Sequence, residues 1–203
     1  MCSSDLIGFG FAFGQVLQNQ FTADFATPLA AAQLTWLGPL LGSLIRPLGG
    51  SLADRFGGAR ITFWNFIAMA AGATVVLVAS KQQSLLLFLV GFVLLFVLSG
   101  IGNGSTYKMI PAIFRAKAMD DVAAGGDTVA ADRLALRRSG ALIGIAGAVG
   151  AFGGVLVNLA FRQSFLETKT GDSAYLAFIA FYVVCVVVTW VVYLRPGNRL
   201  AGV

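Results

Sequence analysis

WLGPLLGSLIRPLGGSLADRFGGAR, Trp36 to Arg60, reads as a membrane span with one arginine deep inside it, followed by a tight charged turn. Arg46 stands eight residues before Asp54, where the chain must leave the lipid. At about 1.5 Å of rise per residue the arginine lies roughly 12 Å inside, near the middle of a hydrocarbon layer about 30 Å thick. A cation at that depth costs at least about 2.5–3.5 kcal/mol, so it normally faces a cavity or a partner. The span offers no acid within a turn or two of it. A buried positive charge without a partner is a candidate seat for an anion.

The rest of the 203 residues agrees with a membrane setting. The chain is 58% hydrophobic and only 11% charged, which excludes an ordinary soluble domain. Cys2 and Cys185 are too few and too far apart for a disulfide framework or a metal site. Histidine, the commonest metal ligand and general base, is absent from the sequence. The net charge of +5 does not point to nucleic acid, because the basic residues fall at span ends.

Working outward, Leu6 to Leu17 is apolar but too short to cross alone. No basic segment precedes it and no small-residue cleavage site follows, so it reads as a truncated span rather than a secretory signal, with Met1 to Asp5 a poor match to what should precede it. A polar loop follows through Pro28. The second span runs from about Leu34 to Ala53 and the third from Ile61 to Ala79. The fourth starts at Leu85 and ends in the polar tract Gly102 to Lys108 and Pro111. Arg115 to Arg138 reads as a hydrophilic loop. The fifth span is Gly140 to Phe161, and the sixth is Tyr175 to Leu194, stopped by Arg195-Pro196-Gly197.

Alternate connections share one side of the membrane. Those after spans two and four, with the tail, carry Arg55, Arg60, Arg115, Lys117, Arg133, Arg137, Arg138, Arg195 and Arg199. The opposite ones carry Lys81, Arg162 and Lys169. Nine against three places the first set, and the C-terminus, in the cytoplasm.

Gly50-Ser51-Leu52-Ala53-Asp54-Arg55-Phe56-Gly57-Gly58-Ala59-Arg60 is the most specific signal. Its glycines permit a tight turn, its aspartate caps or pairs at the helix ends, and its arginines hold the cytoplasmic face. It resembles the G-x-L-A-D-R-x-G-x-x-R signature of the major facilitator superfamily, which implies a structural and gating role for Gly50, Asp54, Arg55, Gly57 and Arg60. In the fifth span, glycines three and four apart make a smooth stripe, open to helix packing or to backbone approach by a small ligand. Read with Ile7 to Phe13, Gly38 to Gly50 and Gly100 to Phe114, that span resembles the second signature of the nitrate/nitrite porter family. The resemblance covers nearly the whole chain and is to the C-terminal half of such a porter.

It implies an all-α membrane protein, one six-helix domain of a twelve-span transporter. Residues 1–114 would hold a truncated span seven to span ten, 115–138 a cytoplasmic loop, and 139–203 spans eleven and twelve with the tail. It further implies transport of nitrate and/or nitrite in a bacterial inner membrane, with an N-terminal six-helix half as the partner. Each half of such a porter supplies one arginine to clamp the anion, and Arg46 falls at the span-eight position. A lone half is expected not to transport. Another small solute, or a non-transporting assembly role, are the competing readings.

The bland reading of Arg46 is a charge that snorkels or pairs with an acid. The sharp one is a planar fork for a planar oxyanion. Asn103, Ser105, Thr106 and Tyr107 either hydrogen-bond an anion or satisfy backbone loosened by glycine and Pro111. Gly144 and Gly147 are the glycines assigned to close approach of substrate. Lys108 reads as a snorkelling interface residue. No nucleophile–base pair, metal cluster or phosphate loop appears, so no enzyme and no cofactor are expected.

Overall fold

A computed structural model of the protein describes residues 2–21 and 33–195. Arg199, the Pro196-Gly197 stop and most of the polar loop up to Pro28 lie outside the described residues. Six helices account for nearly all of what is described: α1 (Cys2–Gln20), α2 (Leu37–Phe56), α3 (Gly58–Gln82), α4 (Leu85–Ala123), α5 (Thr128–Thr168) and α6 (Asp172–Thr189). The last runs into a π-helical turn, Trp190–Leu194. By length and composition α3, α4, α5 and α6 with its π turn can cross a membrane. The protein is all-α and integral to the membrane.

Two expectations about boundaries change. The hydrophilic stretch 115–138 is helical on both sides of a short turn, since α4 continues to Ala123 and α5 begins at Thr128. Hydropathy reports where the lipid ends, whereas Ala, Arg and Lys are good helix formers wherever they sit. Asp127 fixes the new start, accepting from the backbone N–H groups of Val129 at 3.4 Å and Ala130 at 3.1 Å. The first span also gains length, because α1 starts at Cys2.

The end of the bundle near Asp172 is packed with large apolar side chains. Phe13 of α1, Phe88, Phe92 and Phe96 of α4, Phe161 of α5 and Tyr175 and Phe178 of α6 are all buried. Their rings meet at centroid distances such as 4.7 Å for Phe88–Phe92 and 4.9 Å for Phe13–Phe92, the range in which tilted pairs attract. At the rim, Ser80 donates to Asp172 and accepts from Gln20, tying α1, α3 and α6 together.

The Asp54 end is built differently. There α2 packs most closely on α4, yet it buries only Gly38, Gly42, Gly49, Gly50 and Ala53. Its larger residues, among them Leu44 and Leu48, point outward. Lipid tails are as apolar as leucine, so helices in a membrane gain by bringing backbones close, and small residues permit it.

Candidate functional site

The crossing of α2 and α4 is backbone on backbone. A methyl added at Gly100 would overlap the Gly42 carbonyl oxygen, one at Gly49 the Ile101 carbonyl oxygen, and one at Gly104 the Arg46 carbonyl oxygen. Four glycines, two on each helix, therefore set the height at which Arg46 meets α4. Pro47 follows immediately and removes the N–H that would have met the Ser43 carbonyl, loosening α2 at this turn.

Arg46 is exposed, and its guanidinium reaches the Asn103 side chain. With the amide turned so that its oxygen faces the arginine, that oxygen accepts from Nε at 3.3 Å and from Nη2 at 3.0 Å. Asn103 is 2% exposed. Among the described residues the single ion pair is Lys108 Nζ to Asp54 Oδ2 at 2.8 Å, so Arg46 holds a neutral acceptor rather than an acid.

One turn beyond Asn103 on the same face of α4 is Tyr107, whose hydroxyl lies 3.6 Å from where a Gly147 methyl would stand. That brings Gly147 of α5 to the edge of the Asn103–Tyr107 face. Gly144 has no atom within 4 Å of a would-be methyl and faces open space. Ser105 turns away from this face. It is fully buried, its hydroxyl 3.0 Å from that of Thr62 on α3, and it donates to the Gly102 carbonyl at 3.0 Å. Thr106 donates to the same carbonyl at 2.8 Å. These two hydroxyls satisfy α4 backbone, while the Asn103 side chain hydrogen-bonds the Arg46 guanidinium.

The signature turn sits at the base of α2. Gly57 takes φ +87°, a conformation that side chains rarely adopt, and so lets α3 start at once. Gly50 leaves room for the Lys108 stem, 3.5 Å from a would-be methyl, and Lys108 then reaches Asp54. Lys108 thus pairs across α2 and α4 instead of standing free at the interface. Arg55 and Arg60, both exposed, line a cleft of about 490 Å³ with Asp54, Phe56 and Leu194. The Lys108–Asp54 pair and the Arg46–Asn103 pair were invisible in the sequence, since each joins residues more than fifty positions apart.

Together the fold and this site define a polytopic helical membrane protein with a cation presented from a glycine-built helix crossing. Comparison with known proteins adds relatives to this class. Over 193 residues, 93% of this chain, it is 37% identical to the nitrate/nitrite transporter NarU of Salmonella typhimurium and 35% identical to NarU of Escherichia coli K12. The match covers 41% of each of those relatives. It is 30% identical over 165 residues to the probable nitrate/nitrite antiporter NarK2 of Thermus thermophilus, covering 80% of this chain and 33% of that one. No family model matches the chain. The chain is similar to these nitrate/nitrite transporters and spans about two-fifths of their length.

Proposed function

We propose that this chain is the C-terminal six-helix half of a major facilitator superfamily porter for nitrate and/or nitrite, with Arg46 as its half of the anion clamp. The observation that carries the reading is the state of Arg46: exposed, held at one edge by a neutral amide, and unpaired with any acid among the described residues. A guanidinium so placed keeps its charge and offers two parallel donors to a flat oxyanion. Gly147, beside the Tyr107 hydroxyl, and the open Gly144 border the same approach. Asn103 belongs to it through Arg46, and Ser105 supports it from behind.

An N-terminal six-helix half would place a second cation opposite, and transport would come from rocking one half against the other around the anion. The Asp54 end, with Arg55 and Arg60, faces the cytoplasm, as does the C-terminus, in a bacterial inner membrane. Arg46→Lys in the assembled porter keeps the charge and loses the fork. Nitrate uptake by cells carrying it falls by about tenfold or more. Uptake equal to the unsubstituted porter would remove Arg46 from the anion path.

A further inference from the structure

We propose that Asn103 is the residue that orients Arg46, holding one edge of the guanidinium with a neutral acceptor and leaving the other edge, with its full charge, for a planar oxyanion. This inference rests on the anion reading above and adds to it the side chain that sets the fork's direction.

The guanidinium carries five N–H donors in one plane. The Nε–H and one Nη2 hydrogen point along the side edge, and the Asn103 oxygen accepts from both, at 3.3 and 3.0 Å. The opposite amide orientation would set donors against donors, so the hydrogen-bond network fixes which way the side chain turns. What remains are the two Nη1 hydrogens and the outer Nη2 hydrogen. The last of these and one from Nη1 run parallel along the terminal edge, the spacing that two oxygens of one planar oxyanion accept.

Packing supports the assignment. Gly104 has no side chain, and the Arg46 carbonyl rests where one would be. The residue just before it, Asn103, is therefore brought opposite the arginine by the same backbone contact that joins the helices. Asn103 is 2% exposed, so its amide has lost water and needs a partner. Arg46 supplies two hydrogen bonds to it.

The neutrality of the acceptor matters as much as its position. A carboxylate could accept the same two hydrogen bonds, but it would cancel the charge that attracts the anion. The acid on the same helix as Arg46, Asp54, is engaged by Lys108. An amide at position 103 orients without neutralising.

The test uses the assembled porter, this half together with its N-terminal half, in lipid nanodiscs with isotope-labelled arginine, the Arg46 Nε–H signal being identified by its loss in Arg46→Lys. Without any anion, Asn103→Ala speeds solvent exchange of that Nε–H by about tenfold or more, as the loss of a charge-assisted hydrogen bond requires. Asn103→Asp keeps the exchange slow, and it weakens nitrate binding, read from nitrate-induced shifts of the Arg46 signals, by about tenfold or more. Exchange unchanged in Asn103→Ala overturns the proposal, and so does nitrate binding in Asn103→Asp equal to that of the unsubstituted chain. If Asn103→Ala loses helicity, Asn103→Asp carries the test alone, since it changes charge at constant volume. Arg46 signals that depend on Asn103 but never move with nitrate overturn the anion reading while supporting the orienting pair.

Discussion

The two ends of this bundle are held together by opposite means. Near Asp172 the helices meet through buried aromatic rings, Phe13, Phe88, Phe92, Phe161 and Tyr175 among them. Near Asp54 they meet through the absence of side chains, with Gly42 and Gly49 of α2 set against Gly100 and Ile101 of α4. Rings tolerate exchange for other apolar groups of similar volume. A backbone-on-backbone crossing tolerates nothing larger than hydrogen, because the atoms an added side chain would strike are backbone and cannot rotate away. The comparison teaches where each end can change. The aromatic end can vary and still pack, while the glycine end must keep its spacing to keep Arg46 opposite Asn103.

The sharpest break of that comparison is at Gly104. Gly104→Leu drives a side chain into the Arg46 carbonyl and the Gly50 backbone. We expect it to cost about 3 kcal/mol or more, the upper range for overpacking, and to part Asn103 from Arg46 at the same time. Unfolding in mixed lipid–detergent micelles, followed by helicity, measures the first effect. The Arg46 Nε–H signal reports the second. A Gly104→Leu chain as stable as the native one would mean that α2 can ride higher on α4, and the glycine account of this end would fail.

Phe92 provides the contrast at the other end. It is fully buried and touches the rings of Phe13, Phe88, Phe96 and Tyr175. Phe92→Ala leaves a cavity and costs about 3 kcal/mol. Phe92→Leu keeps most of the volume and costs under about 1.5 kcal/mol. The informative quantity is the gap between these two substitutions. Were Leu as damaging as Ala, the aromatic end would depend on ring geometry as strictly as the other end depends on glycine.

Much of this was legible in the sequence, and the limits have physical causes. The span expected from Ile61 to Ala79 appears as Gly58–Gln82, and that expected from Tyr175 to Leu194 as Asp172–Thr189 with its π turn. Apolar run length is a direct reading of lipid thickness. Arg46 stood out for the same reason, as a charge where hydropathy forbids one. The stretch 115–138 misled because polarity marks the exit from lipid without ending a helix. Glycine spacing drew attention to α5, yet Gly140 and Gly144 face open space, and the glycines pressed directly against a neighbouring helix's carbonyl are Gly49 of α2 and Gly100 and Gly104 of α4. Spacing shows that a stripe exists and is silent on what lies against it. Asn103 stood out as part of a polar cluster at the end of the fourth span, but its partner lies 57 positions earlier, and only the α2–α4 contact reveals it.

The smallest expected effect sharpens the comparison from its charged edge. Lys108 and Asp54 join α4 to α2 at 2.8 Å, beside the glycine crossing, with side chains 56% and 58% exposed. If water reaches the pair, a double-mutant cycle of Lys108→Ala and Asp54→Ala gives a coupling of about 0.5 kcal/mol, within the usual range for exposed pairs. That coupling shrinks further with added salt, because exposed charges are screened. The crossing then owes its stability to glycine, and the ion pair contributes little to holding the Asp54 end. A coupling above about 2 kcal/mol, insensitive to salt, would show the pair shielded from water. Charge would then hold the Asp54 end shut as firmly as packing does, and opening it would require water or a competing charge to reach Lys108 first.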